Sequence, residues 1–121
     1  MKALLDTNIL IDYLNGEIEA RHEISLYEDV AVSVISWIEV MVGTDEDSSA
    51  VIRRWLNQFA VLDIDDSVRE RAVLIRKTRS MKLPDAIIKA TAEANDRLLV
   101  TRNSKDFDIQ EPGVRLPYQL A

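Results

Sequence analysis

Short, mainly apolar runs alternate along the chain with longer stretches in which apolar residues recur at helical spacing. Runs of the first kind occupy residues 3–5, 30–34, 60–64 and 98–101, and a shorter one lies at 114–116, just before Pro117. A brief apolar run bounded by polar residues is typical of a strand buried on both faces, the usual state in a parallel sheet. The pattern therefore predicts four strands, the first of them central, and a fifth, short edge strand.

The stretches between these strands carry the helical pattern. It predicts helices over residues 9–14, 18–27, 35–42, 51–59, 68–80 and 85–95. Asp66 or Ser67 is expected to cap the fifth helix, and residues 44–49 are expected to form a polar turn. Because strands that alternate with helices form βαβ units, the chain is predicted to be a single α/β domain over residues 1–121. Its predicted architecture is a three-layer α/β/α sandwich with a mainly parallel central sheet.

Acidic residues stand where several of these elements meet. Asp6 directly follows the first strand, and Asp106 comes a few residues after the fourth. Glu39 lies in the first or second turn of a helix that leaves the same edge of the sheet. Asp85 follows Pro84 at the start of another helix, although no obvious strand precedes it. Since ligands of open α/β sheets bind outside the carboxyl ends of the strands, these four carboxylates are expected to meet in one crevice.

Each of these acidic residues also has an ordinary structural explanation as a cap, a turn residue or an exposed helix edge. Glu39 is the least ordinary, because its helix is apolar nearly all round and a buried carboxylate is costly unless it is paired, protonated or bound to a cation. Exposure of one helical edge is the alternative. Asp12 is predicted to be a surface residue, since an offset of six along a helix turns it away from Asp6. Thr7 or Asn8 is expected to cap the helix that carries Asp12.

A cluster of carboxylates points to a metal ion. Two carboxylates about 5 Å apart repel by roughly 3 kcal/mol at an effective dielectric near 20, so protons or cations must neutralise the group. Oxygen ligands without cysteine or a nearby histidine favour Mg²⁺ or Mn²⁺. Such a cation can lower the pKa of a water molecule and hold a phosphate oxygen, and phosphodiester hydrolysis uses this chemistry most directly. Thr101 and Asn103 offer a hydroxyl and an amide as supporting groups, although ordinary turn chemistry explains them equally well.

Composition excludes several classes of protein. Apolar residues make up 47% of the 121 positions with only three glycines and three prolines, which excludes disordered and collagen-like chains. There is no cysteine, so disulfides and thiolate metal sites are excluded. The start of the chain lacks the apolar region of a signal peptide, and no run approaches a membrane span. We expect a cytoplasmic protein. The only histidine, His22, lies in a Glu-rich stretch, so a metal-free nuclease with histidine as general acid and base is poorly supported.

The formal net charge of −6 argues against a broad nucleic-acid-binding surface. It does not exclude a local basic patch, and six of the fifteen basic residues fall between Arg69 and Lys82. A solvated helix face explains this cluster as well as a binding function does.

Four stretches of the sequence, in order, resemble the four motifs of PIN domains. They are LLDTNILIDYL, SVISWIEVMVG, LPDAIIKATAEAN and LLVTRNSKDF. The small size is similar to that of VapC-type toxins of toxin–antitoxin pairs. The resemblance implies a PIN-like nuclease domain in which Asp6, Glu39 and Asp85 are the central catalytic and metal-binding acids and Asp106 is the fourth. It also implies that Thr101 and Asn103 are the polar pair that follows the last core strand.

The same resemblance implies the activity and the partners. It indicates an Mg²⁺- or Mn²⁺-dependent endoribonuclease that cuts structured RNA, forms a homodimer and is inhibited by a cognate antitoxin protein. It also adds weight to the basic cluster as an RNA-docking surface, because an acidic site must obtain its affinity for phosphate from metal and from flanking basic residues. The residues predicted to dock RNA are Arg76, Lys77, Arg79 and Lys82.

Other functions stay open on the sequence alone. A stand-alone RNA-processing nuclease would use the same acids. A non-catalytic RNA- or protein-binding module would use the basic cluster and leave a buried Glu39 unexplained. A phosphorylated receiver-like domain would need a phosphoacceptor such as Asp63 and a lysine after a later strand, where Lys105 is poorly placed.

Overall fold

The computed structural model describes residues 1–120, which form an open five-stranded sheet covered by helices on both faces. All strand pairings are parallel, and the spatial order is β3-β2-β1-β4-β5. The predicted three-layer α/β/α fold is confirmed, with a sheet that is entirely parallel. The strands are β1 Lys2–Leu5, β2 Asp29–Ser33, β3 Ala60–Leu62, β4 Leu98–Val100 and β5 Val114–Arg115.

Pairs of helices connect each of the first three strands to the next strand and form the two outer layers. Within residues 1–120, none of them is both long enough and apolar enough to cross a lipid bilayer. They are α1 Thr7–Leu14, α2 Ile18–Ser25, α3 Val34–Val42, α4 Glu46–Leu56, α5 Asp66–Thr78 and α6 Leu83–Ala94.

Alternate residues of the central strand β1 enter two separate cores. Leu4 packs in a cluster built largely from α5 and α6, whereas Ala3 and Leu5 pack in a second cluster with side chains of α1, α3 and α4. All three are fully buried. This is the period of two that a strand imposes when both of its faces are covered. The uninterrupted apolar run at the start of the chain therefore lies at the centre of the domain.

Several helix starts differ from the prediction, among them those of α4 and α5. Helix α4 begins at Glu46 inside the predicted polar turn, because Asp45 and Ser48 form a reciprocal capping box. Helix α5 is capped by Asp65, whose side chain accepts the Val68 amide at 2.9 Å, and not by either of the two residues that follow it. Polar residues near a helix start suit both a turn and a cap, so their composition alone did not separate the two.

Candidate metal centre

Asp6 lies at the carboxyl end of the central strand and begins α1. It is the N-cap of the helix, since its Oδ1 accepts the Thr7 amide at 2.8 Å, so the predicted capping by Thr7 or Asn8 is wrong. Its Oδ2 accepts the Thr101 hydroxyl at 2.7 Å and the Asn8 side-chain amide at 3.2 Å. Only 4% of Asp6 is exposed. Burial, together with the negative charge of Glu39, raises the pKa of this carboxyl, and the three neutral donors oppose the rise.

Thr101 and Asn103 form hydrogen bonds with two of the acids, Asp6 and Asp106. Thr101 is buried directly after β4, and its Oγ1 accepts the Asn103 amide at 2.9 Å while its hydroxyl donates to Asp6. The Asn103 side chain donates to Oδ2 of Asp106 at 2.9 Å, and the backbone amide of Asp106 donates to the side-chain Oδ1 of Asn103 at 3.1 Å. The two supporting residues therefore orient Asp6 and Asp106.

Glu39 is exposed on α3, so the expectation of a buried carboxylate at this position is wrong and the exposed helix edge is what the structure shows. Its Oε1 accepts the Thr7 hydroxyl at 2.7 Å, and the same hydroxyl also lies 2.9 Å from Oγ of the buried Ser36. Glu39 is still close enough for its charge to act on Asp6. Thr7, the residue after a candidate acid, is the contact that sequence reasoning missed.

Asp85 lies in the first turn of α6 and is half-buried. Burial raises its pKa to about 6, and the negative charges of Asp6, Asp106 and Glu39 contribute in that order, while Lys82 acts in the opposite direction. The structure thus brings all four acids, including the one that no strand pattern could place, into one electrostatic neighbourhood.

The donor chemistry of this cluster fits a hard divalent cation. In residues 1–120 none of the four carboxylates forms a salt bridge, so no basic side chain is in direct contact with them to offset the repulsion between them. All of the side-chain donors are oxygens, which Mg²⁺ and Mn²⁺ prefer. As they stand, no three Asp, Glu or His side chains of the described chain form a group that could hold one metal ion. The role of the four acids as metal ligands therefore stays a prediction.

The four residues predicted to dock RNA differ in their surroundings. Arg76 donates to the backbone carbonyl of Met81 at 2.6 Å, and Arg79 donates to Glu111 at 2.5 Å. Lys77 is exposed. Lys82 alone lies near enough to the acids to lower the pKa of one of them. The structure therefore favours Lys82 at the edge of the carboxylate cluster and engages Arg76 and Arg79 elsewhere.

Asp12 is buried, with 4% exposed, so its predicted surface position is wrong. Arg102 donates to both of its carboxylate oxygens through Nε and Nη2, and the Tyr118 hydroxyl donates to Oδ2 at 2.8 Å. The pairing joins residues 90 positions apart, which no local pattern can reveal. The only available signal was an arginine inside the last motif, between Thr101 and Asn103.

The chain is similar along almost its whole length to chains in several solved structures. A chain in a toxin–antitoxin complex from Klebsiella pneumoniae is 42% identical, with a TM-score of 0.92 over 98% of this chain and 99% of that chain. For FitAcB from Neisseria gonorrhoeae the identity is 26% and the TM-score 0.78, over 99% and 100% of the two chains. VapBC2 from Rickettsia felis, bound to a DNA fragment from its promoter, shares the fold at 20% identity, with a TM-score of 0.80 over 94% and 96%.

Two comparisons were made at the level of sequence, one with curated proteins and one with family models. No curated protein sequence matches the chain significantly. The family model described as PIN domain matches residues 3–110, which include all four motifs and all four acids. The chain therefore belongs to the PIN domain family.

Proposed function

We propose that this protein is a metal-dependent endoribonuclease and the toxin component of a type II toxin–antitoxin system. The observation that carries the proposal is the cluster of Asp6, Glu39, Asp85 and Asp106, contributed by four separated segments and compensated by no salt bridge in the described chain. Family membership supports a nuclease, and PIN nucleases generally use divalent metal ions. The reaction would be hydrolysis of phosphodiester bonds in structured RNA.

The four acids would hold Mg²⁺ or Mn²⁺. When bound, the cation would supply positive charge for phosphate oxygens and lower the pKa of water at the site. Ionised carboxylates are the ligands, so protons compete with the metal. Because the pKa of Asp85 is raised to about 6, metal affinity should increase as the pH rises through that value.

The protein's own side chains would prepare the site for this cation. Thr101 and Asn8 orient the carboxylate of Asp6, and Thr7 donates to Glu39. Hydrogen bonds of this kind reduce the freedom of the acids and fix which oxygens remain available. Lys82 would attract the phosphate backbone of RNA to the edge of the acidic cluster, a contact that positions the substrate without reading its sequence.

The proposed partners are an antitoxin protein and a second copy of the chain. An antitoxin partner is supported by the similar chain in a toxin–antitoxin complex from Klebsiella pneumoniae. The likeness to the VapBC2 and FitAcB structures is consistent with it. Apolar side chains are exposed on both helical layers, among them Val42 at 80% and Leu74 at 60%. Exposed apolar surface of this kind is suited to protein partners. A cytoplasmic location, where RNA and antitoxin are available, is part of the same proposal.

The proposal is tested by incubating the purified chain with structured RNAs, with and without Mg²⁺ or Mn²⁺. We expect cleavage that requires the cation and that is abolished in Asp6→Ala and Asp85→Ala. Asp63→Asn is the matched control, because Asp63 is an exposed aspartate outside the cluster. Full cleavage by either alanine variant in the presence of metal would overturn the nuclease assignment.

The toxin role needs a separate measurement. Induced expression of the chain should arrest bacterial growth, and co-expression of the product of the adjacent reading frame should relieve the arrest. Cleavage in vitro without growth arrest would contradict the toxin role and favour a stand-alone RNA-processing nuclease.

A further inference from the structure

We propose that Asp12, Arg102 and Tyr118, here called the Asp12 network, are positioning residues for the metal-binding acids. The inference rests on the proposed function, since it concerns how the same carboxylates are presented to a cation. None of the three residues belongs to the carboxylate cluster itself.

The network begins with a buried ion pair of well-defined orientation. Asp12 is 4% exposed, and Arg102 donates to both of its oxygens, with 2.9 Å between Nη2 and Oδ1. A bidentate arginine–carboxylate contact constrains both position and angle. The hydroxyl of Tyr118, close to the end of the chain, adds a third bond to the same carboxylate at 2.8 Å. Arg102 is thereby bound to α1 through its side chain.

Arg102 transmits this constraint to the site through its backbone. It stands between Thr101, which donates to Asp6, and Asn103, which binds Asp106. Its own amide donates to Oδ1 of Asn8 at 3.1 Å, and the Nδ2 of that asparagine then points to Oδ2 of Asp6 at 3.2 Å. The Asp12 network therefore sets the direction of the Asn8 amide and the path of the segment that supplies Thr101, Asn103 and Asp106.

Stability alone is a weak explanation for such a pair. Replacing a buried ion pair by apolar residues of similar volume is often neutral or stabilising, because desolvation offsets the attraction. A carboxylate and an arginine that instead orient neighbouring ligands resemble the outer groups that support metal ligands in other proteins. The effect on the cation would be indirect, since no hydrogen bond joins Asp12 to any of the four acids in residues 1–120.

The chain contains a chemically matched network that serves as a control. Glu23 is 3% exposed, receives Nε and Nη2 of Arg115 at 2.6 and 3.0 Å, and accepts the Tyr27 hydroxyl at 2.5 Å. Within the described residues, the side chains of Glu23, Arg115 and Tyr27 form no hydrogen bond with any of the four acids. The link to the site is a main-chain bond from Thr101 to the Arg115 carbonyl at 3.0 Å, which side-chain substitutions leave in place.

The experiment compares Asp12→Asn with Glu23→Gln, and Tyr118→Phe with Tyr27→Phe. Mn²⁺ binding to each protein is measured by electron paramagnetic resonance of the free ion. We expect Asp12→Asn to raise the Mn²⁺ dissociation constant by about 10- to 100-fold, the usual effect of removing an outer-shell partner. Tyr118→Phe should raise it less, and the two control variants should bind as the parent does.

Amide hydrogen exchange in EDTA provides a readout that needs no metal. The amides of Arg102, Asn103 and Asp106 should exchange faster in Asp12→Asn and Tyr118→Phe than in the parent, and at the parent rate in the controls. If Asp12→Asn does not fold, the two tyrosine variants decide the question, because each loses only a hydroxyl.

The outcomes separate the two proposals. Parent-like Mn²⁺ affinity in Tyr118→Phe and Asp12→Asn, or equal weakening in the Glu23 and Tyr27 controls, would overturn the positioning role. A parent protein that binds no Mn²⁺ would overturn the proposed metal site. In that case unchanged amide exchange in Tyr118→Phe would reject the positioning role as well, and faster exchange confined to that variant would support it.

Discussion

Helix α1 and its N-cap carry two carboxylates that are equally buried but have different neighbours. Asp6 and Asp12 are each 4% exposed. Asp12 receives an arginine and a tyrosine hydroxyl, whereas Asp6 receives only neutral donors and faces the negative charge of Glu39. The fold therefore neutralises one buried acid and leaves the other uncompensated six residues away.

Glu23 shows that compensation is the ordinary solution in this protein. Burial by itself would raise the pKa of Glu23, yet the hydrogen bonds from Arg115 and Tyr27 hold it below its usual value. Burial also raises the pKa of Asp6, but there the neutral donors do not reverse the rise. A buried carboxylate without a compensating charge is destabilising. Proteins retain such unfavourable groups chiefly at functional sites.

The largest expected effect comes from removing the compensation of Asp12. Arg102→Ala would leave the buried carboxylate of Asp12, whose side chain is 5% exposed, without its cation, which should lower the free energy of unfolding by about 3 kcal/mol. Urea denaturation in EDTA measures the change. Arg69→Ala is the control, because its partner Asp66 is 90% exposed and the pair should contribute less than about 1 kcal/mol. Equal losses in the two variants would mean that burial does not distinguish these ion pairs.

The second prediction concerns Asp6, for which added Mn²⁺ would provide the compensating positive charge. Mn²⁺ at about 100 times its dissociation constant should stabilise the parent by about 2.7 kcal/mol. Asp6→Asn should gain little, because it lacks a negatively charged ligand, while Glu23→Gln should gain as much as the parent. Urea denaturation at increasing Mn²⁺ concentration gives these values. Equal stabilisation of Asp6→Asn and the parent would exclude Asp6 from the metal site.

How far sequence reasoning reached depends on the range of the interactions involved. The strands and the position of Asp6 were predictable, because a buried strand and a polar break are local patterns. The pairing of Asp12 with Arg102 was not, since it exists only after the sheet has formed. The apolar helix around Glu39 predicted burial, whereas the structure exposes Glu39 together with Ile38 and Val42 on one edge. Periodicity cannot tell which apolar face a helix leaves uncovered.

Asp85 illustrates a different limit. No strand precedes α6 directly, so the strand pattern left the position of Asp85 the least secure of the four, and the resemblance to PIN domains supplied it. In the structure the residue feels the charges of the other three acids. Its role as a ligand depends on the metal measurements, because proximity of charges is not coordination.

The third prediction concerns the cost of the uncompensated cluster without metal. The folded protein keeps a proton on Asp85 up to about pH 6, whereas the unfolded chain loses it near the ordinary pKa of 3.8, so raising the pH between these values favours unfolding. Asp85→Asn removes this term. In EDTA the variant should become more stable than the parent as the pH rises through this window, by about 1 kcal/mol at neutral pH after discounting for solvent screening. A variant that is less stable than the parent at neutral pH would contradict the repulsion.

The smallest expected effect is on RNA binding. It compares Lys82, a basic residue near the uncompensated acids, with Arg79, a basic residue that is already paired. Lys82 acts on Asp85 through its charge, whereas Arg79 is bound to Glu111. Lys82→Ala should weaken binding of structured RNAs to a similar extent for every sequence and reduce the salt dependence by about one phosphate contact. Arg79→Ala should change neither quantity. Fluorescence anisotropy in EDTA at several KCl concentrations measures both without cleavage, and a larger loss in Arg79→Ala than in Lys82→Ala would place the RNA at the Arg79–Glu111 pair and not at Lys82.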